Sequence, residues 1–270
     1  MSKNVPTDVY IIYNSSVPKS KEYYQTAKWS AIEHEFNVIP IDWPTELDEC
    51  WKKVEDLDIH QHGTFLWNKR LYPTGKPEVD PNHKRGACSV TLAHMYIWNL
   101  IRKSDRAACI IEHDFIFKNS ITMRIPSNFF VGLGYKLRSP DCYKIDSTNL
   151  DDAPKEVVFQ NKILGAHGYA INGKTAKKLC DELKVKGVQG WIDCIYFQGN
   201  DMDLTDVQTS MMSPPPGIVW LRDSTIWNFN AIMNYTFIDS FSKRFVEHNK
   251  PMHANMLSRH QHATIKSRNV

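Results

Sequence analysis

At 270 residues, with 42% hydrophobic and 23% charged residues, the chain suits one large α/β domain or a domain with a small appendage. A net charge of +3 excludes a polycation over the whole molecule. No apolar run approaches a membrane span and the first residues lead into no signal-peptide core, so the cytoplasm is the expected location. The six cysteines, Cys50, Cys88, Cys109, Cys142, Cys180 and Cys194, contain no C-x-x-C pair, and several lie in apolar segments. That excludes a zinc knuckle and argues for reduced, packed thiols rather than a disulfide frame.

Val9 to Tyr13 reads as a first buried strand, and Asn14-Ser15-Ser16-Val17-Pro18 is turn chemistry at its carboxyl end, a place for a nucleotide to rest. From Lys19 to about Phe36, Tyr24, Ala27 and Ala31 mark one apolar helix face. Asn37 to Ile41 is a second short strand, giving a βαβ start whose natural outcome is a parallel sheet. Residues 42–85 carry little periodicity and many prolines, aromatics and polar groups, the profile of a long functional loop region. Within it, His60 and His62 lack a third ligand at diagnostic spacing and read as surface histidines, while Trp67 can stack on a sugar or base or pack the loop onto the body.

A helix opens at Gly86, with Val90, Ala93, Ile97, Leu100 and Ile101 at helical spacing. His94 stands beside that face, where a packed, satisfied histidine is the plain expectation. Then comes the stretch with the sharpest change of polarity. Ala107 to Ile111 is an apolar run suited to a strand buried on both faces, and it ends in Glu112-His113-Asp114. If strand geometry continues, Glu112 and Asp114 project from one side and His113 from the other. Two acids at the carboxyl end of a central strand sit where open α/β sheets bind ligands, and they suit Mg²⁺ or Mn²⁺ and, through the ion, a diphosphate. An acid after an apolar strand is also common in any α/β protein.

Phe129 to Leu133 and His167 to Ile171 read as further strands, joined by a polar excursion through Asp151 and Asp152. Asn172 can cap the helix that follows, whose face is Ala176, Leu179, Cys180 and Leu183, with Gly187 as its stop. Gly190 to Asp193 starts another helical segment, Asp201-Met202-Asp203 lies in a polar loop, and Ser213 to Gly217 is rigid punctuation before a brief strand at Ile218 to Trp220. From Lys243 onward six lysines and arginines and four histidines face one acid, Glu247. Such a tail implies an anionic neighbour or a solvated terminus. The expected organisation is one α/β domain over residues 1–240 and a basic, partly irregular extension over 241–270.

Several of these pieces, in this order, resemble glycosyltransferase family 25, the family of lipooligosaccharide and collagen galactosyltransferases. Gly86 to Trp98 resembles its glycine, cysteine and serine-histidine helix, and Ile110 to Asp114 its apolar strand ending in Glu-Asp-Asp. Gly165 to Ile171 resembles its Gly-Thr-His-Ala-Tyr-Leu-Ile segment, Ile192-Asp193 its Val-Asp pair, and Ile218 to Ile226 its closing element. The likeness spans residues 9–226. It departs at His113, where the family has an acid, at Ala93, where it has serine, and at Lys19 or Lys21, where it has arginine after the first strand.

The resemblance implies a GT-A-like, mostly parallel Rossmann-type sheet and transfer of a sugar from a nucleotide-sugar, expected to be UDP-linked, with inversion. On that reading Asp114 binds Mn²⁺ (or Mg²⁺), and Glu112 assists through water or holds the donor ribose. Asp193 is the candidate base, and Asn14, Lys19, Lys21 and His167 are candidates for nucleotide and donor contacts. Trp67, Arg70 and Trp191 are candidates for the acceptor. A C-terminal histidine can serve as third ligand. The basic tail with no aromatic beyond Phe245 favours DNA as acceptor, a hydroxymethylated pyrimidine of the kind some phage enzymes modify, which would place the chain in a host's cytoplasm. A lipooligosaccharide glycan is the alternative acceptor. His113 within the acidic motif leaves open a protein that binds nucleotide-sugar without turnover.

Overall fold

The computed structural model describes residues 3–59, 81–134, 152–160, 163, 165–188, 192 and 207–219, the side chains of 81–85 excepted. Among these residues the chain forms an α/β fold in which a seven-stranded mixed sheet is flanked by four α-helices. The strands are β1 (Asp8–Tyr13), β2 (Asn37–Asp42), β3 (Ala108–Glu112), β5 (Phe129–Gly132), β6 (Glu156–Gln160), β7 (Gly168–Ile171) and β8 (Gln208–Ser213), in the order β2-β1-β3-β7-β5-β8-β6. β4 (Phe115–Phe117) and β9 (Gly217–Val219) form a separate antiparallel pair. The helices are α1 (Pro18–Glu33), α2 (Leu47–Lys53), α3 (Pro81–Ser104) and α4 (Gly173–Lys186).

The βαβ start holds: β1 pairs in parallel with β2 and with β3. Beyond β3 the sheet is mixed rather than mostly parallel. β7 runs antiparallel to both β3 and β5, β6 is antiparallel to β8, and only β5 and β8 are parallel there. The apolar composition of these strands reports burial and not direction, which is why the sequence suggests a more parallel sheet.

Alternation along the strands sorts the core into two layers. Val9, Ile11, Cys109, Ile111 and Ala170 pack with Tyr24, Ala27 and Ala31 of α1 on one face. Tyr10, Ile12, Ile110, Tyr169 and Ile171 pack with Leu92, Met95 and Trp98 of α3 and with Leu179 and Leu183 of α4 on the other. The parity continues outward: Glu112 and His167 share the α3 side with Ile110 and Tyr169. Asn172 caps α4 as its sequence suggests, its side chain accepting from the Thr175 N–H, and Gly187 ends the helix with φ of 67°. Burial pushes the thiols of Cys88 and Cys180 up to about 11 and about 12, so these free cysteines are packing groups, not nucleophiles or ligands at neutral pH.

Part of residues 42–85, expected as irregular loop, is helical. Cys50, Val54 and Leu57 recur at helical steps and are buried against α3, forming α2 and a 3₁₀ turn at Glu55–Leu57. α3 itself begins at Pro81, a turn and a half ahead of Gly86. No described helix is long and apolar enough to cross a membrane.

Candidate metal centre

β3 stops at Glu112, and His113 and Asp114 form a turn instead of continuing the strand. Both carboxylates nevertheless reach one place, because the partner strand supplies what the turn does not. The β3–β7 register sets Ile111 opposite Gly168, and the Glu112 N–H donates to the His167 carbonyl at 2.9 Å. His167 therefore stands directly across from the acids. Its Nδ1 is 3.3 Å from Glu112 Oε2 and 3.3 Å from Asp114 Oδ2. The ligating atoms of Glu112, Asp114 and His167 all lie within 4.8 Å of one another, which meets the spacing needed to share one cation.

The turn is anchored from below. Phe115, the residue after Asp114, is wholly buried, and its ring lies so close to β7 that a Cβ at Gly168 would be 2.5 Å from it. Only glycine there allows the turn to approach the strand that carries His167. Gly165 does the same for the imidazole: its φ of 93° disfavours any side chain, and a Cβ there would sit 2.7 Å from the His167 ring.

Electrostatically the three residues hold one another. Burial alone acts to raise the Glu112 pKa, but the His167 and His94 rings more than reverse it and keep the carboxyl well below the usual carboxylate range. Burial pulls His167 toward the neutral form, and the Asp114 and Glu112 carboxylates outweigh that, pushing it up to about 10. A divalent cation bound here takes over the charge-balancing role of that proton. The residues fit such an ion. Asp114 Oδ1 and His167 Nε2 are buried with no hydrogen-bond partner among the described residues, and His167 Nδ1 has only its ion-pair contacts with the two carboxylates. Two carboxylates and an imidazole form a mixed oxygen and nitrogen donor set of a kind that a divalent cation can share.

His113 is not part of the cluster. Its ring stacks on Tyr23 of α1 at 6.0 Å, and the Lys19 ammonium lies 5.7 Å from the centre of the same Tyr23 ring. Lys19 is thereby linked to the acidic turn, whereas Lys21 is an exposed residue of α1 with no such link among the described contacts. Asn14 follows β1, whose Ile12 pairs with Glu112, so its loop lies beside the turn. Its side-chain oxygen accepts from the Ser16 N–H at 2.8 Å and its own N–H donates to Ser20 Oγ, which shapes the loop. Asp193, Trp67, Arg70, Trp191 and the C-terminal histidines lie outside the described residues, as does the boundary near residue 240.

The geometry brings His167, expected only as a donor contact, into one group with Glu112 and Asp114. A second unforeseen residue is His94. It is wholly buried on α3, with Nδ1 3.0 Å from the Tyr169 hydroxyl and Nε2 3.6 Å from Glu112 Oε1. A scan of protein-family models and a search of curated proteins both return no match to this chain. The resemblance to glycosyltransferase family 25 accordingly rests on the motifs quoted above.

Proposed function

We propose that this chain is a divalent-cation-dependent, inverting glycosyltransferase using a nucleoside-diphosphate sugar. The observation that carries the reading is the Glu112, Asp114 and His167 cluster at the carboxyl end of β3, where the parallel β2-β1-β3 half of the sheet ends. That is the edge at which open α/β sheets receive ligands, and it supports a GT-A-like frame. The loop at Asn14 and the Lys19 side chain flank the same edge and suit a nucleotide diphosphate.

A bound cation would neutralise the diphosphate as it leaves, and Glu112, Asp114 and His167 are the residues that would hold it. The acceptor hydroxyl attacks the anomeric carbon from the face opposite the diphosphate. The new oxygen–carbon bond forms as the bond to phosphate breaks, the nucleoside diphosphate departs with the electron pair, and the hydroxyl proton passes to a base. Asp193 keeps that role in the proposal, with an expected contribution of about 10²–10⁴ in rate. His113 does not weaken the reading, since its ring stacks on Tyr23 and is no member of the ligating set.

The acceptor favoured by the basic tail is a hydroxymethylated pyrimidine in DNA. The test is mass spectrometry of the purified protein with Mn²⁺, a panel of nucleotide-sugars, and such DNA beside a lipooligosaccharide-type glycan, with Asp114→Ala as control. A sugar mass added to the DNA and lost in the control is the expected result. Addition to the glycan alone would move the acceptor to saccharide, and nucleotide-sugar binding without transfer or hydrolysis would replace the enzyme with a binding protein.

A further inference from the structure

We propose that His94 is a positioning residue for the cation site, acting on Glu112 through a one-way hydrogen-bond relay from Trp98 and Tyr169. The inference rests on the cation reading of the Glu112, Asp114 and His167 cluster. Its evidence is a different set of contacts. Trp98 and His94 lie one turn apart on α3, both wholly buried, and both reach the hydroxyl of Tyr169 on β7.

The chemistry of each group fixes the direction. Indole is only a donor, so Trp98 Nε1–H donates to the Tyr169 oxygen at 2.8 Å. A carboxylate is only an acceptor, so the proposal puts the hydrogen of His94 on Nε2, the nitrogen that faces Glu112 Oε1. Nδ1 then offers a lone pair, and the Tyr169 O–H donates to it across 3.0 Å. Each donor in the series Trp98, Tyr169, His94 strengthens the next, because a hydroxyl that accepts one hydrogen bond donates a better one.

The last link is poised and not closed. At 3.6 Å the His94–Glu112 contact exceeds a hydrogen bond, and His94 Nε2 has no other partner among the described residues. A shift of about half an ångström brings it into range. With Oε1 held on the α3 side, Oε2 stays turned toward His167 and Asp114, where the cation would sit. Carboxylate ligands are commonly oriented by such a partner, and losing one lowers metal affinity about 10–100-fold.

Two amides separate the ends of the imidazole. In His94→Gln the amide nitrogen falls near the place of Nε2 and can donate to Glu112; in His94→Asn the shorter amide lies near the place of Nδ1, where its oxygen can accept from Tyr169 but no donor reaches Glu112. The experiment measures Mn²⁺ affinity by electron paramagnetic resonance for the full chain and both variants, with near-ultraviolet circular dichroism to establish that each is folded. ¹⁵N-imidazole NMR of the unaltered chain reads the tautomer without any cation. The expected results are hydrogen on Nε2 of His94, affinity kept within a few-fold in His94→Gln, and a loss of about 10–100-fold in folded His94→Asn. Unchanged affinity in His94→Asn, equal losses in both variants, or hydrogen on Nδ1 alone would overturn the relay. If the unaltered chain takes up no Mn²⁺ while NMR finds hydrogen on Nε2, the cation reading fails and the relay stands as an arrangement around Glu112.

Discussion

At the carboxyl end of β7, Asn172 uses every polar atom it has: its oxygen accepts from the N–H and hydroxyl of Thr175, and its amide donates to the Ile125 carbonyl and Ser127 Oγ. At the amino end of the same four-residue strand, His167 is also buried, yet its Nε2 has no hydrogen-bond partner among the described residues and its Nδ1 has only ion-pair contacts with two carboxylates. Both residues are polar and inside the protein, where an unsatisfied group costs about 1–3 kcal/mol. Asn172 is explained by the fold alone, since it starts α4 and ties it to the loop before β5. His167 is not. Its nearest groups are two carboxylates whose mutual repulsion it relieves, and this is the grouping on which the proposed cation site rests.

The difference can be broken by substitution. Asp114→Asn should lower Mn²⁺ affinity beyond the 10–100-fold expected for a residue behind the ligands, while changing stability by no more than about 1 kcal/mol. Titration with Mn²⁺ and denaturant unfolding measure the two quantities. Asn172→Ala should do the reverse, costing about 2–3 kcal/mol through the lost cap and the stranded partners, with Mn²⁺ affinity unchanged. If it altered affinity as strongly as stability, the two ends of β7 would not be separable. Gly165→Ala falls between them: a side chain at φ of 93° costs about 1–2 kcal/mol, and a Cβ 2.7 Å from the His167 ring should also weaken the cation. Lys103→Ala, which removes an exposed pair with Asp56, should change stability by at most about 0.5 kcal/mol and leave the cation alone.

How much of this could be read from the chain follows from where each signal lies. β1, α1, β2, β3, β7 and α4 announce themselves by apolar runs, helical spacing or a cap. β8 did not, because four of the six residues from Gln208 to Ser213 are polar; Thr209 and Ser210 are nevertheless buried, their hydroxyls donating to the carbonyls of Gln160 and Phe130. β6 was lost inside a polar stretch, and as an edge strand it leaves Phe159 half exposed. The acids at the end of β3 stood out because two carboxylates sit two residues apart behind an apolar run. His167 was placed at a strand and, through the resemblance, among the donor contacts, but not beside the acids, since only the antiparallel β3–β7 register brings it across from Glu112. His94 was read as a packed histidine, which is half correct: Nδ1 is satisfied by Tyr169, and Nε2 faces Glu112.

The most direct test of the central claim is a Mn²⁺ titration of the full chain, following the free-ion resonance signal with and without UDP. The account predicts saturable uptake that UDP tightens and that Asp114→Asn abolishes. A free-ion signal indifferent to the protein, in the presence and absence of the nucleotide, would contradict it and leave Glu112, Asp114 and His167 as a buried ion-pair cluster that serves the fold.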